Sequence, residues 1–542
     1  MRYIIALIIS VLSVSMAAQV AITIPAEYEE NNKLVFTWSY MPGIDSVICE
    51  ITGVAQQVVE IDIIFNPDST QFDTTDIKIF LSSMNADSNN VNFVAANSNT
   101  CWIRQYSPVI GYGVFVDDLV QYLGNPLFTS YNQSANDSIP KVLSTFWGMD
   151  IVDYGLEFEN TNILYDGVEN LFIGDHVIDQ NIPMDENEVR FALNSYFNSD
   201  NVVFTPSLTH SGGGDIVGNS AYMKLLDFET IIVASIPDTL PDYAILENFV
   251  VELALIPNNF GGNYKIIRIP SPPNGDGKFP TTQDEEVRSY TNSLILNNII
   301  FMPTYGIAEF DSTAYHIYKK YMSGYEIHMI DARLLSLNYG SINALTKEVP
   351  QSTFLRILHQ KNRGPKSFFS DYEILCLAAA GDEIQEMWLY YKINGETSYT
   401  KTEIHLVCPQ HVGIISGLLP TDTVNYYIEA ISSTTTITYP LSAPQGNFTF
   451  WFDIVDIEQN RSNISEFSIS PNPSSGNFKI DHSSGNAEID ISIYNIAGQL
   501  IISTKTYTGS TLNLSHELEE GYYNVIVNQD GKVAKLKLVI AN

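Results

Sequence analysis

Between about Pro25 and Val349 the chain alternates two hydrophobic periodicities. Short runs rich in β-branched residues, VVEIDIIF at 58–65, TIIVASI at 230–236 and NNIIFMPTY at 297–305, have the length and composition of buried strands. The stretches Asp185–Phe197 and Ser312–Met322 instead place apolar residues three and four apart, the spacing of a helix with one buried face. Recurring strand–helix units predict an α/β layer architecture, and periodicity alone goes no further. After Gly364-Pro365 the pattern becomes all-β: MWLYYKI (387–393), EIHLVCP (403–409), NYYIEAI (425–431) and FTFWFDI (448–454) are short strands separated by turn residues. That spacing predicts a small sandwich of immunoglobulin-like type over 365–455. A polar stretch, 456–466, then leads into a last β-patterned segment, 467–542.

The first residues follow a different rule. Arg2, an apolar run from Tyr3 to Val14, and small residues at Ser15, Ala17 and Ala18 predict a secretory signal over 1–18 rather than a membrane span. No later stretch is long and apolar enough to be a transmembrane segment. At 542 residues, two to four domains are expected. The excess of 62 acidic over 27 basic residues repels phosphate backbones, so no nucleic-acid partner is expected. The four cysteines (Cys49, Cys101, Cys376, Cys408) lack metal-ligand spacing, and the nine histidines form no H-E-x-x-H pattern; neither a metal nor a cofactor is expected. Export permits disulfides, and Cys376 and Cys408 lie on neighbouring predicted strands as one candidate pair.

Four segments carry candidate chemistry: WIRQYSP (102–108), NTNILYDG (160–167), GNSAYMKLL (218–226) and NYGSINALTKEVP (338–350), with RSYTNSLILN (288–297) between the last two. In this order they resemble the secreted, Porphyromonas-type peptidylarginine deiminase and agmatine deiminase family. The resemblance implies a five-bladed α/β propeller (pentein) over 19–360 with a site at its centre. It also implies a chemistry in which a cysteine thiolate attacks a guanidinium carbon, a histidine shuttles the proton, and two aspartates neutralise the planar cation.

Lining up the motifs places each catalytic group on a residue that cannot perform its role. In W-x-R-D-Y-G-P the aspartate position is Gln105, with Trp102 and Arg104 kept. In H-I-D-x-Y-M-K-L-L the histidine position is Gly218 and the aspartate position Ser220. In G-x-I-H-C-I-T-K-E the histidine position is Asn343 and the nucleophile position Ala344. His210 and Asp215, around a run of three glycines, are nearby substitutes of the right chemistry. Trp102, Arg104, Asp166 and Asn292 remain as ligand-binding candidates, although Trp102, Asn292 and Asp166 serve equally as structural groups of the fold. The last segment has its own resemblance: FSISPNPSSGNFKI, ISIYNIAGQLI and LEEGYYNVIV match the C-terminal sorting domain of type IX secretion cargo in Bacteroidota, a second small β-sandwich. This implies contact with the type IX secretion machinery and a destination at the outer cell surface or in the medium.

Three functions are compatible with these residues. The first is an exported pseudoenzyme that binds an arginine-containing peptide or other surface ligand without turning it over. The second is an active guanidino-group hydrolase using substituted groups. The third is a structural or adhesive surface protein, for which the Asn-, Ser- and Thr-rich loops 84–100 and 129–138 are suited.

Overall fold

The computed structural model describes residues 23–115, 118–127, 135–208, 218–282, 285–407, 410–452 and, with short interruptions, 467–540. The predicted signal, the sorting-domain linker, Cys408, His210 and Asp215 lie outside the described residues. The chain forms two compact units, the first of residues up to 364 with 370–418 and 422–450, the second of 365–369, 419–421 and 451–542.

Within the first unit one module occurs five times. β4 (Val109–Phe115), β5 (Asp118–Leu127) and β6 (Asp150–Glu157) make one sheet; β7 (Ile163–Tyr165), β8 (Asn170–Gly174) and β9 (Asn201–Thr205) make the next. β10 (Met223–Asp227), β11 (Thr230–Ser235) and β12 (Lys265–Pro270) follow, then β13 (Leu294–Leu296), β14 (Ile299–Thr304) and β15 (Glu326–Asp331). In each, the first pair is antiparallel and the second parallel. The parallel step requires a crossover, and a helix supplies it each time: Ile139–Trp147, Glu186–Phe197, Tyr243–Leu253 and Ala308–Tyr321. The fifth sheet joins the two ends of this region. β16 (Lys347–Pro350) runs antiparallel to β1 (Asn31–Thr37), which is parallel to β2 (Glu60–Phe65) across the helix Pro42–Ala55; β3 (Val91–Ala95) adds a fourth strand. The expected runs 58–65, 230–236 and 297–305 are thus the middle or parallel strands β2, β11 and β14, mostly buried on both faces, which explains their largely apolar character.

The two expected helices form. Asp185 caps the first by accepting from Glu188 N (3.0 Å) while Glu188 bonds back to Asp185 N (2.9 Å). The second begins a turn earlier than the apolar spacing indicates, at Ala308, because buried Asp311 takes the Tyr305 amide (3.0 Å) and the Tyr290 hydroxyl (2.7 Å) and so draws the preceding turn into the helix.

The segment after β16 is β-rich. One antiparallel sheet orders Leu355–Leu358, Tyr372–Ala380, Gln410–Ile415 and His405–Val407; another sets Thr423–Ser432 beside Ile384–Ile393, with Thr400–Glu403 at its edge. The expected single strand 403–409 is therefore two. Buried Ile404 gives its amide to Met387 O (2.9 Å), and the chain changes sheets there. Cys376 is a buried free thiol in the first of these sheets, opposite His411 rather than in a bridge. The His359 imidazole, 2.7 Å from the Tyr426 hydroxyl, joins two strands of this segment, and the Lys361–Asp227 ion pair ties it to the five-module region.

In the second unit, Phe467–Ser470, Asn477–His482 and Thr511–Ser515 form a three-stranded sheet, and Leu500–Thr504, Asp490–Asn495, Gly521–Gln529 and Lys532–Ile540 a four-stranded one. Phe467, Phe478, Ile480, Ile493, Val525 and Leu538 fill its core.

A ring of five turns as the candidate functional site

A short helical turn enters the first strand of every module: Ile103–Tyr106, Asn160–Asn162, Asn219–Ala221, Tyr290–Asn292 and Ile342–Leu345. Each turn packs on the next and the fifth packs on the first, so the five close a ring. Hydrogen bonds join four of the five neighbouring pairs. Asn160 Nδ2 donates to Ser107 O, next to the first turn; Asn219 N donates to Asn162 Oδ1 (3.3 Å); Thr291 Oγ1 donates to Ser220 O (2.8 Å); and Arg104 Nε donates to Asn343 O (2.6 Å). The turns are themselves capped, the fifth by Ser341 Oγ accepting from Ala344 N (3.0 Å) and the fourth by Ser289 Oγ accepting from Thr291 N (3.2 Å).

The ring gathers most of the residues singled out in sequence. Gln105 lies on the first turn, Gly218 and Ser220 at the third, Asn292 on the fourth, and Asn343 and Ala344 on the fifth. Gln105 and Asn292 are half-buried; Ser220, at 7% exposure, and Ala344, at 9%, are nearly covered. Trp102, also half-buried, lies across Gly340, where a Cβ would fall 2.1 Å from its ring. It braces the chain entering the fifth turn. Asn343 is fully buried, and neither its side-chain oxygen nor its nitrogen has a hydrogen-bond partner.

Two candidates hold protein groups instead of facing the ring's opening. Arg104 is 1% exposed and bonds Glu27 (2.8 Å), Glu348 (2.5 Å) and the Asn343 carbonyl. Asp166 is fully buried at the far end of β7, in the β7–β8 turn. Its carboxylate accepts the amides of Val168, Glu169 and Asn170, the Asn170 side chain and the Tyr264 hydroxyl (2.6 Å). Asp166 thus holds the fold with its carboxylate fully matched, and Arg104 is anchored by two carboxylates and a carbonyl with two of its five N–H groups left over.

Gly218 has a steric reason to be glycine. An ideal Cβ there would stand 2.0 Å from Thr161 O and 2.5 Å from Thr161 C, both backbone atoms of the second turn. The third turn therefore approaches the second backbone to backbone, where any side chain would intrude.

Residues that the motifs did not flag stand beside the ring. Glu159 precedes the second turn; burial pushes its carboxyl up to about 7, the Thr161 hydroxyl opposing and the Glu157 charge reinforcing. His176 Nε2 lies 3.0 Å from Asn162 Nδ2, and its Nδ1 3.3 Å from Ser207 Oγ; burial lowers its pKa. A half-buried acid next to a structured turn leaves no periodic trace, so no sequence signal marked either. Cys49 and Cys101 are not exchangeable nucleophiles, since burial pushes both thiols up to about 12 and leaves them protonated at neutral pH. Among the described residues no group of three or more His, Cys, Asp or Glu is disposed to hold a metal ion, and no helix is long and apolar enough to cross a membrane.

This arrangement of modules around a ring is the fold of guanidino deiminases. An agmatine deiminase of Enterococcus faecalis superposes with a TM-score of 0.52 at 13% identity, over 61% of this chain and 96% of that one. A C. jejuni agmatine deiminase gives 0.51 at 15% identity, over 61% and 97%. A protein of Marinomonas sp. (strain MWYL1) that bears an agmatine deiminase name is 22% identical over 295 residues, 48% of this chain and 76% of its own. Residues 23–350 match the Porphyromonas-type peptidyl-arginine deiminase family, and the chain belongs to that family. Residues 468–541 match the secretion system C-terminal sorting domain, which assigns the chain to type IX export, to the medium or the outer surface, and to contact with that machinery.

Proposed function

We propose that this is a deiminase-family protein that binds at its ring without catalysing deimination, exported to act at the cell surface or in the medium. Its first region is a five-bladed propeller, as five repeated modules and a closed ring of turns support, and the following β-rich segment is an immunoglobulin-like sandwich. The observation that carries the reading is the coincidence of two independent losses on the ring: Ala344 offers no nucleophilic atom, and Gly218 has no room for a general acid or base. The carboxylates that would neutralise a guanidinium are replaced by Gln105 and Ser220, so cation binding is weakened together with the chemistry. The ring retains half-buried polar side chains, Gln105 and Asn292, and the Trp102 face, which suit a peptide side chain.

The test is calorimetry of the full chain with arginine-containing peptides and agmatine, followed by assay of citrulline and ammonia. Binding without product is expected. Product would overturn the reading, and Glu159→Gln and His176→Asn would then identify the substitute acid–base groups.

A further inference from the structure

Below the ring, the inner strands β4, β7 and β16 and the segment 24–31 line a small cleft of about 70 Å3 that opens to solvent. Its walls are mainly apolar, with Ile24, Val109, Ile163 and Phe197 among them, and Arg104, Lys347, Glu27 and Glu348 converge on one end.

The charges at that end do not balance. Glu27 bridges Lys224 (2.8 Å) and Arg104 (2.8 Å), and Arg104 continues to Glu348 (2.5 Å). Three cations (Arg104, Lys224, Lys347) thus meet two carboxylates, leaving one positive charge over. The excess falls on Lys347, whose ammonium has no ion-pair or hydrogen-bond partner among the described residues. Burial and the neighbouring Arg104 charge pull its amine down to about 8, against the attraction of Glu348 and Glu27. In contrast, burial pushes the Glu27 carboxyl up, yet Lys224, Arg104 and Lys347 together hold it at about 2. Arg104 has used three of its five N–H groups, so two donors remain beside the unmatched lysine.

We propose that this cleft binds a small organic monocarboxylate with an apolar body, its carboxylate on Lys347 and the remaining N–H groups of Arg104. One negative charge completes the network. A dianion would overshoot it beside Glu27 and Glu348, and a guanidinium or ammonium would add to the excess. The apolar walls take the body of the ligand. The site shares Arg104 and Asn160 with the ring turns but selects the charge opposite to a guanidinium, and it does not depend on whether the ring turns over a substrate.

The experiment is titration calorimetry of the full chain with phenylacetate and isovalerate, with phenylacetamide, sodium chloride and inorganic phosphate in parallel, on wild type, Lys347→Met and Lys347→Gln. Saturable one-to-one binding of both carboxylates is expected, at least tenfold weaker in either variant and absent for the neutral amide. Circular dichroism and melting of each variant show that the fold is kept; removing an unmatched, half-buried cation is not expected to lower stability. Equal binding of the amide, unchanged affinity in the folded variants, binding of chloride or phosphate alone, or no binding of any probe would each overturn the proposal.

Discussion

A methyl group at position 218 is the smallest perturbation that tests the geometry of the ring. In Gly218→Ala the new Cβ would stand 2.0 Å from Thr161 O and 2.5 Å from Thr161 C, where carbon contacts are ordinarily about 3.5 Å. Relief needs a shift of more than about 1 Å between two packed backbones, since no flexible side chain is there to yield. Overpacking of this kind costs about 1–3 kcal/mol. The same shift stretches the Asn219 N to Asn162 Oδ1 bond, already 3.3 Å, which adds about 1 kcal/mol. The expected loss is therefore about 2–4 kcal/mol, or on the order of 1 M in the urea midpoint. Gly218→His should lose at least as much, because the clash begins at Cβ. Urea denaturation followed by tryptophan fluorescence reads this directly. Gly155→Ala is the control: its Cβ meets only Tyr196 Oη, at 3.4 Å, and its stability should change by less than about 0.5 kcal/mol. An unchanged midpoint in Gly218→Ala would mean that the two turns are not in contact. A histidine would then fit, and the steric part of the case against catalysis would fall.

Other consequences can be checked separately. Ala344→Cys should restore a reactive thiol without citrulline release, because Gln105, Gly218 and Ser220 are unchanged; turnover by the single variant would contradict the proposed loss of function. Arg104→Met leaves buried Glu348 without its ion-pair partner, while Glu27 keeps Lys224, and should cost about 3–5 kcal/mol in the same denaturation assay. Glu159 gives a pH signature. Its folded pKa is raised from 4.5 to about 7, so its contribution is present below pH 4.5 and is lost as pH rises from there to 7. Glu159→Gln should accordingly stabilise the protein at pH 8, by about 1–3 kcal/mol after allowance for partial exposure, with little effect at pH 4; a pH-independent difference would refute the assignment. Asp166→Asn should destabilise by about 1–3 kcal/mol while leaving any ligand affinity at the ring unchanged, as measured by melting and calorimetry.

The sequence alone determined the strands and helices whose signal is local. The β-branched runs that became β2, β11 and β14, and the capping box at Asp185, follow from side-chain period and from bonds within four residues. Motif order also located the ring residues, since each turn lies just before the first strand of its module. Local pattern missed the sheet change at Ile404, because an unbroken apolar alternation does not reveal which partner a strand will pair with. Tertiary structure alone decided which polar residues are free. Nothing near Arg104 in sequence shows that Glu27 and Glu348, 77 and 244 residues away, pair with it and leave only two of its N–H groups over. Gly218 looked like a missing histidine until the Thr161 backbone was found where its side chain would go. The unmatched charge on Lys347 is likewise a sum over residues brought together from four distant segments. Covalent neighbours set secondary structure, but charge balance and free volume depend on contacts that exist only once the chain has closed on itself.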